Sequence, residues 1–174
     1  MSPLWERDQV SWTITRPTVA DLDEMGRVHV QVWRDAYAGL LPADHLAALD
    51  PTVGPQRWRA RIERPSGDVD WWVARDDDGI VGMATVGLAR DDDAAVLLEL
   101  YAINVLRRAH GTGLADDLMA VTVGDRAAYL WVLDGNDRAQ AFYRRHGFAD
   151  DGGRKPEPDT GVVEIRMSRT DVTR

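Results

Sequence analysis

The sequence predicts an α/β protein of the α+β type: a mixed, twisted central sheet of about seven strands flanked by helices. Three observations carry this. Short alternating or continuous apolar runs recur along the chain, separated by charged turns, as half-buried and buried strands do. Two amphipathic segments fall between the later runs, which gives a β–α–β–α–β middle. The early runs are joined by tight polar turns, and this makes that part antiparallel. With 174 residues, the chain has length for one domain with a proper core, here read as 11–170 behind a loose leader at 1–10.

The elements follow in order. SWTITRP alternates and stops at Pro17, a short first strand. Thr18 and Asp21 have capping-box spacing. Leu22, Met25, Val28 or His29, and Val32 then repeat at helical intervals toward Trp33, Ala36 and Tyr37. Gly39 can end that helix and Pro42 can open another. A further restart at Pro51 and Thr52, with Trp58, Arg61 and Ile62, makes 36–64 a helical insertion. Residues 70–74 and 80–89 form a hairpin around RDDDG, and RDDDA at 90–94 is a second solvated turn. A long central strand covers 96–105, and a helix covers about 111–126 with Leu114, Leu118, Val121 and Asp125 along one side. The apolar run 128–133 directly after a helix reads as a buried strand parallel to the central one. Asn136 caps a helix carrying Ala139, Phe142, Tyr143 and His146 on one face, and Gly147 ends it. KPEPD lacks ladder donors and is excluded from a central strand. VVEIRMS at 162–168 is a clean final strand.

Composition narrows the chemistry. The net charge is -8 and basic residues form no large cluster, which argues against a nucleic-acid partner. No apolar run is long enough to span a bilayer. MSPLWERDQV lacks the apolar core of a secretory signal, so a cytoplasmic location is expected. The chain has no cysteine. Disulfides, thiolate metal sites and a cysteine nucleophile are therefore excluded. Neither aspartate triplet, 76–78 or 91–93, has the alternation of a calcium loop, and His29, His45 and His146 are not spaced as metal ligands, so no metal is expected.

The stretch ELYAINVLRRAHGTGLA organises the rest. An apolar strand crosses a short basic loop into a helix, and such a junction can present consecutive backbone N–H groups to an anion. Small residues at Gly111, Thr112, Gly113 and Ala115 allow close approach, and Arg107 and Arg108 can add charge at the rim. No GK[ST] follows and the pattern is not GxGxxG after a first strand, so neither a P-loop nor a dinucleotide fingerprint fits. From spacing alone, an anion cradle and a tight helix entry stand equally open.

LLELYAINVLRRAHGTGLADDLM, together with LWVLDGNDRAQAFYRRHGF, resembles the GCN5-related N-acetyltransferase family. The family's Q/R-x-x-G-x-G/A motif corresponds to His110-Gly111-Thr112-Gly113-Leu114-Ala115, with His110 in the glutamine or arginine place and Arg107 where proline is usual. A literal match beginning at Arg108, through Gly111 and Gly113, also exists, and the His110 register is preferred because it preserves the spacing from the central strand. The resemblance implies an acyl-CoA N-acyltransferase-like fold and acetyl-CoA as donor. It implies that backbone groups near Ile103, Asn104 and Val105 pair with the pantetheine arm, and that residues 110–115, with Arg108 at the rim, hold the pyrophosphate. Asn136 and Phe142 would lie beside the arm, and Tyr143 would approach the thioester sulfur as its donor. Glu99 is the expected proton acceptor, either directly or through water, or else a group that orients substrate. Strand alternation puts Glu99, Tyr101 and Ile103 on one side and Asn104 on the other, unless a bulge intervenes. Trp33, Tyr37 and Tyr101 are candidate acceptor-pocket residues, with core packing as the other reading of the helical aromatics.

The resulting expectation is direct transfer of acetyl from acetyl-CoA to a primary amine of a small molecule or peptide. The alternative is an acyl-CoA binding or sensing protein, favoured if Glu99 is sealed from the acceptor side and Tyr143 lies far from the thioester. The family also allows a homodimer.

Overall fold

The computed structural model describes residues 11–170, so the leader expected at 1–10 lies outside the described residues. The strands are β1 (Thr13–Thr15), β2 (Val69–Asp76), β3 (Gly79–Leu88), β4 (Leu98–Val105), β5 (Ala128–Leu133), β6 (Ala149–Pro156) and β7 (Val163–Arg169). The helices are α1 (Leu22–Ala36), α2 (Ala43–Ala48), α3 (Val53–Glu63), α4 (Leu114–Thr122) and α5 (Asp137–Arg145). All seven strands join one sheet in the order β1-β2-β3-β4-β5-β7-β6. Only β4 and β5 pair in parallel, and β7 inserts antiparallel between β5 and β6. This is the mixed, helix-flanked sheet the sequence predicts.

Helix entry and exit follow local chemistry. Asp21 Oδ2 accepts the Thr18 backbone N–H at 2.7 Å, the expected capping box, while Asp21 Oδ1 pairs with Arg75 at 2.5 Å. Arg34 of α1 donates to the carbonyls of Leu46 and Leu49 at 3.0 and 3.1 Å, satisfying the C-terminal end of α2. Gly26 lets α1 and α3 approach: a Cβ there would lie 2.0 Å from the Pro51 carbonyl oxygen. Both aspartate triplets lie at or in turns and feed ion pairs: Asp76, the last residue of β2, with Arg108, and Asp91 and Asp93 with Arg166.

The two faces of the sheet bury different clusters. Met25, Val28 and Val32 of α1 pack on Val73, Ile80 and Met83. On the other face, Leu114 and Leu118 pack on Val81, Ala84 and Val105, while Met119 and Val123 join Leu100, Leu130, Val132, Ile165 and Met167. Expected α4 positions change accordingly. The helix ends at Thr122 and not near Arg126, because Gly124 turns left-handed at φ 54° and Arg126 bonds back to the Val123 carbonyl. Its inner face is Leu114, Leu118, Met119 and Thr122, and Val121 is exposed.

One irregularity matters for the site. In the β3–β4 ladder Thr85 pairs with Ala102 but Val86 pairs with Leu100, so Tyr101 is an extra, bulged residue. Residues paired across a ladder share a face. Asn104 pairs with Met83 of the α1 cluster, and Ile103 pairs with Ala84 of the α4 cluster. The expected side-sharing of Glu99, Tyr101 and Ile103 is thereby corrected. The bulge turns Ile103 toward α4 and brings Asn104 to the α1 face with Glu99.

Candidate active site

Parallel pairing of β4 and β5 is confined to Glu99 with Tyr129 and Leu100 with Leu130. Beyond that point the strands part, which frees the β5-facing edge of β4 at 103–105. A cavity of about 1050 Å³ runs through the opening. Ile103, Asn104, Val105, His110, Gly111, Gly113, Ala115, Asn136, Phe142 and Tyr143 line its donor end.

The loop between β4 and α4 supplies the anion-binding geometry. Gly111 and Gly113 have φ of 76° and 98°, a region that favours glycine, and the space a Cβ would take is open at both. No backbone acceptor among the described residues takes the N–H of Gly111, Gly113 or Ala115. These free amides sit at the N-terminus of α4, where partial positive charge accumulates. His110 Nε2 lies 3.0 Å from the Val105 carbonyl. Burial, with Arg138 and Arg107 nearby, lowers its pKa despite that bond. The neutral ring therefore carries its proton on Nε2 and ties the loop to the strand end.

Other expected residues are placed differently. Arg108 grips Asp76, with Nη2 donating to Oδ1 at 3.0 Å, and does not line the cavity. A close carboxylate outcompetes a solvent-exposed rim position. Thr112 turns its hydroxyl to the Ala109 carbonyl at 2.8 Å, and Leu114 is buried in the core. Both serve the loop through backbone and packing and do not face the cavity. Arg138 and Arg145 on α5 line it, which the sequence reading missed. The signal for them was present in NDRAQAFYRR, downstream of the Asn136 cap. Asn136 Oδ1 accepts the Ala139 N–H at 3.2 Å.

Tyr143 is half-buried on α5 and packs edge-on against Phe142. Its hydroxyl makes no hydrogen bond among the described residues, and burial, then Tyr37, pushes its pKa well above the ordinary tyrosine range. The group stays protonated and free to donate.

The acceptor end is aromatic. Trp33 contacts Tyr37 and His29 with centroids at 5.0 and 5.1 Å, and Trp58 contacts His29 and Trp71 at 5.5 and 5.2 Å. Each of these rings both packs and lines the cavity, so the core and pocket readings of Trp33 and Tyr37 coexist. Burial lowers the His29 pKa to about 4, so the ring is neutral near pH 7. Its Nδ1 and the Trp71 Nε1 are buried without a partner among the described residues. Tyr101 donates to the Leu88 carbonyl at 2.7 Å and lies under Arg90.

Glu99 is 1% exposed. Arg90 Nη2 and Nε bond its two oxygens at 2.5 and 3.0 Å, the Arg90 backbone N–H adds a bond at 3.1 Å, and Tyr129 donates at 2.7 Å. Burial alone would raise the carboxyl, but the Arg90 and Tyr129 bonds prevail and hold its pKa below the ordinary range. A carboxylate so saturated is a weak base, although it borders the cavity.

Glu164 presents the opposite case and was missed from sequence. It pairs with Leu133 across β5–β7, and Leu133 packs with Trp33, Tyr37 and Leu41, so both lie on the acceptor face. It lines the cavity with Lys155, Glu157 and Trp131. Only strand pairing brings it near Tyr37, more than a hundred residues earlier in the chain, so no local motif could mark it.

A free-amide loop opening on a cavity between two splayed strands fits an acyl-CoA donor, and sequence comparison agrees. A family model for the acetyltransferase (GNAT) domain matches residues 67–150. An uncharacterized N-acetyltransferase of Mycobacterium tuberculosis is 32% identical over 143 residues, covering 78% of this chain and 88% of that protein. The uncharacterized N-acetyltransferase YuaI of Bacillus subtilis is 28% identical over 131 residues, covering 71% and 73%. In fold, the chain superposes on the PaiA N-acetyltransferase of Thermoplasma acidophilum, solved in complex with coenzyme A, with a TM-score of 0.73 at 16% identity, over 92% of this chain and 99% of that one. The chain belongs to the GNAT acetyltransferase family. It is an N-acetyltransferase that draws its acetyl group from acetyl-CoA.

Proposed function

We propose that the acceptor is a primary amine, of a small molecule or a peptide, carried on an apolar or aromatic body. The observation that supports this is the continuous wall of His29, Trp33, Tyr37, Trp58 and Trp71 on the acceptor side of the cavity. Such a surface binds planar apolar groups well and gives a flexible, multiply charged polyamine little in return. The free amides of Gly111, Gly113 and Ala115, with Arg138 beside His110, hold the pyrophosphate. The open edge of β4 at Ile103 and Asn104 faces the pantetheine arm, while the Val105 carbonyl is already engaged by His110.

Bound acetyl-CoA supplies an electrophilic thioester carbonyl and a thiolate leaving group. Tyr143, protonated and unpaired, donates to the departing sulfur. Glu99 works as an anchor: it holds Arg90 and Tyr129, and through them the 90–94 turn, at the rim of the acceptor end. No cysteine is available for an acyl-enzyme, in keeping with direct attack by the amine. A cytoplasmic location and a homodimer, carried over from the sequence reading, belong to this proposal; cell fractionation and sedimentation of the purified protein test them. No described helix is long and apolar enough to cross a membrane.

Release of free CoA, measured against a panel of chemically distinct amines, tests the acceptor class. Arylalkylamines are expected to exceed linear polyamines in kcat/KM by about tenfold or more. Equal or greater turnover of polyamines would overturn the aromatic assignment.

A further inference from the structure

We propose that Glu164 is the catalytic residue that takes the proton from the acceptor's ammonium group. The inference rests on the acetyl-transfer reading above and adds the base that Glu99 does not supply.

The two carboxylates differ in every respect that decides basicity. Glu99 is saturated by four donor contacts. Glu164 makes no side-chain hydrogen bond among the described residues. Its ion-pair partner there is Lys155 Nζ at 3.9 Å, beyond a direct hydrogen bond, and that ammonium is drawn over the Trp131 ring at 4.0 Å. The Glu164 side chain is 19% exposed, so it is reachable from the cavity while largely removed from bulk water. The groups facing it are Lys155 from β6, Glu157 from the following turn, Tyr37 from the end of α1, and Arg90 and Glu99 across the face. Burial is the main influence and raises its pKa; Glu157 and Glu99 add to this, and Lys155 and Arg90 oppose it. Burial, then Glu164 and Glu157, push the Tyr37 hydroxyl up to about 12, so Tyr37 remains a neutral donor beside the carboxylate.

The step balances as follows. Glu164 accepts one proton from the ammonium, which frees the nitrogen lone pair. The lone pair attacks the acetyl carbonyl carbon, a C–N bond forms and the C–S bond breaks. Tyr143 gives its proton to the leaving sulfur and recovers one from the acylated nitrogen. Glu164 then releases its proton to solvent. Because Glu164 must be ionised to act, kcat/KM rises with pH through its pKa, so an acid limb above the ordinary carboxylate range is expected.

The test begins with an amine that the wild-type enzyme acetylates. Glu164→Gln is expected to lower kcat by about 10²-fold and to abolish the acid limb, with CoA affinity by calorimetry unchanged. Lys155→Met removes the opposing cation and is expected to move the limb upward. Independently of turnover, carbon-13 titration of the glutamate carboxyls in the free protein should show one signal above the ordinary range, absent from Glu164→Gln. If wild-type turnover and the acid limb survive in both variants, or that signal titrates in the ordinary range, the inference is overturned while acetyl transfer stands. If Glu164→Gln does not fold, the Lys155→Met limb and the wild-type titration decide. If the wild type acetylates no amine, the functional reading fails and takes this inference with it.

Discussion

At Tyr143, the surroundings of a single hydroxyl on a helix of ordinary sequence make it the candidate donor. The α5 face packs its ring against Phe142 and Phe148, while the oxygen is left unpaired toward the cavity. Tyr143→Phe keeps that packing and deletes only the donor. It is expected to lower kcat by about 10²-fold with CoA affinity unchanged, measured by steady-state kinetics and calorimetry. An unchanged kcat would remove Tyr143 from the chemistry. Its candidacy was legible from its place in the NDRAQAFYRR segment. Glu164 was not, because its neighbours Leu133, Tyr37 and Lys155 come from three separate parts of the chain.

On β4, the bulge at Tyr101 sets which side chains reach the cavity, and the same strand carries the most heavily bonded carboxylate of the site. Alternation alone misplaced Ile103, since an inserted residue reverses the facing of everything beyond it on one side. Glu99 now reads as structural. Its folded-state pKa is depressed, so its stabilisation is present above the ordinary glutamate value of about 4.5 and is lost as pH falls through the lower folded value. Glu99→Gln should therefore destabilise the protein by about 2 kcal/mol at neutral pH. That corresponds to about 4–8 °C in Tm. The difference from wild type should shrink on acidification below about pH 4.5, read by thermal melts across pH. A gap constant with pH would contradict the depressed carboxyl.

For the molecule as a whole, the cavity joins elements from both faces: α1 and α3 on one side, α4 and α5 on the other, with the splayed β4 and β5 between them. A ligand that bridges these elements should bind only the folded state. CoA at about a hundred times its Kd is expected to add about 2.7 kcal/mol. This amounts to a Tm rise of about 5–10 °C. Gly113→Val should abolish most of that rise. A β-branched residue at φ 98° strains the loop and fills the open space before the free amides. An undiminished rise in that variant would place the pyrophosphate elsewhere.

By itself the sequence determined the sheet and the order of most elements, and it marked the 110–115 loop and Tyr143 as candidates for the donor site. Each of these is written in local signals: periodicity, caps, and glycines at fixed spacing. Tertiary structure alone decided that Arg108 belongs to Asp76, that Arg138 and Arg145 line the cavity, that Glu99 is saturated by hydrogen bonds and that Glu164 is not. Basicity and accessibility depend on which donors and how much water reach a carboxylate, and those neighbours arrive through strand pairing between distant segments.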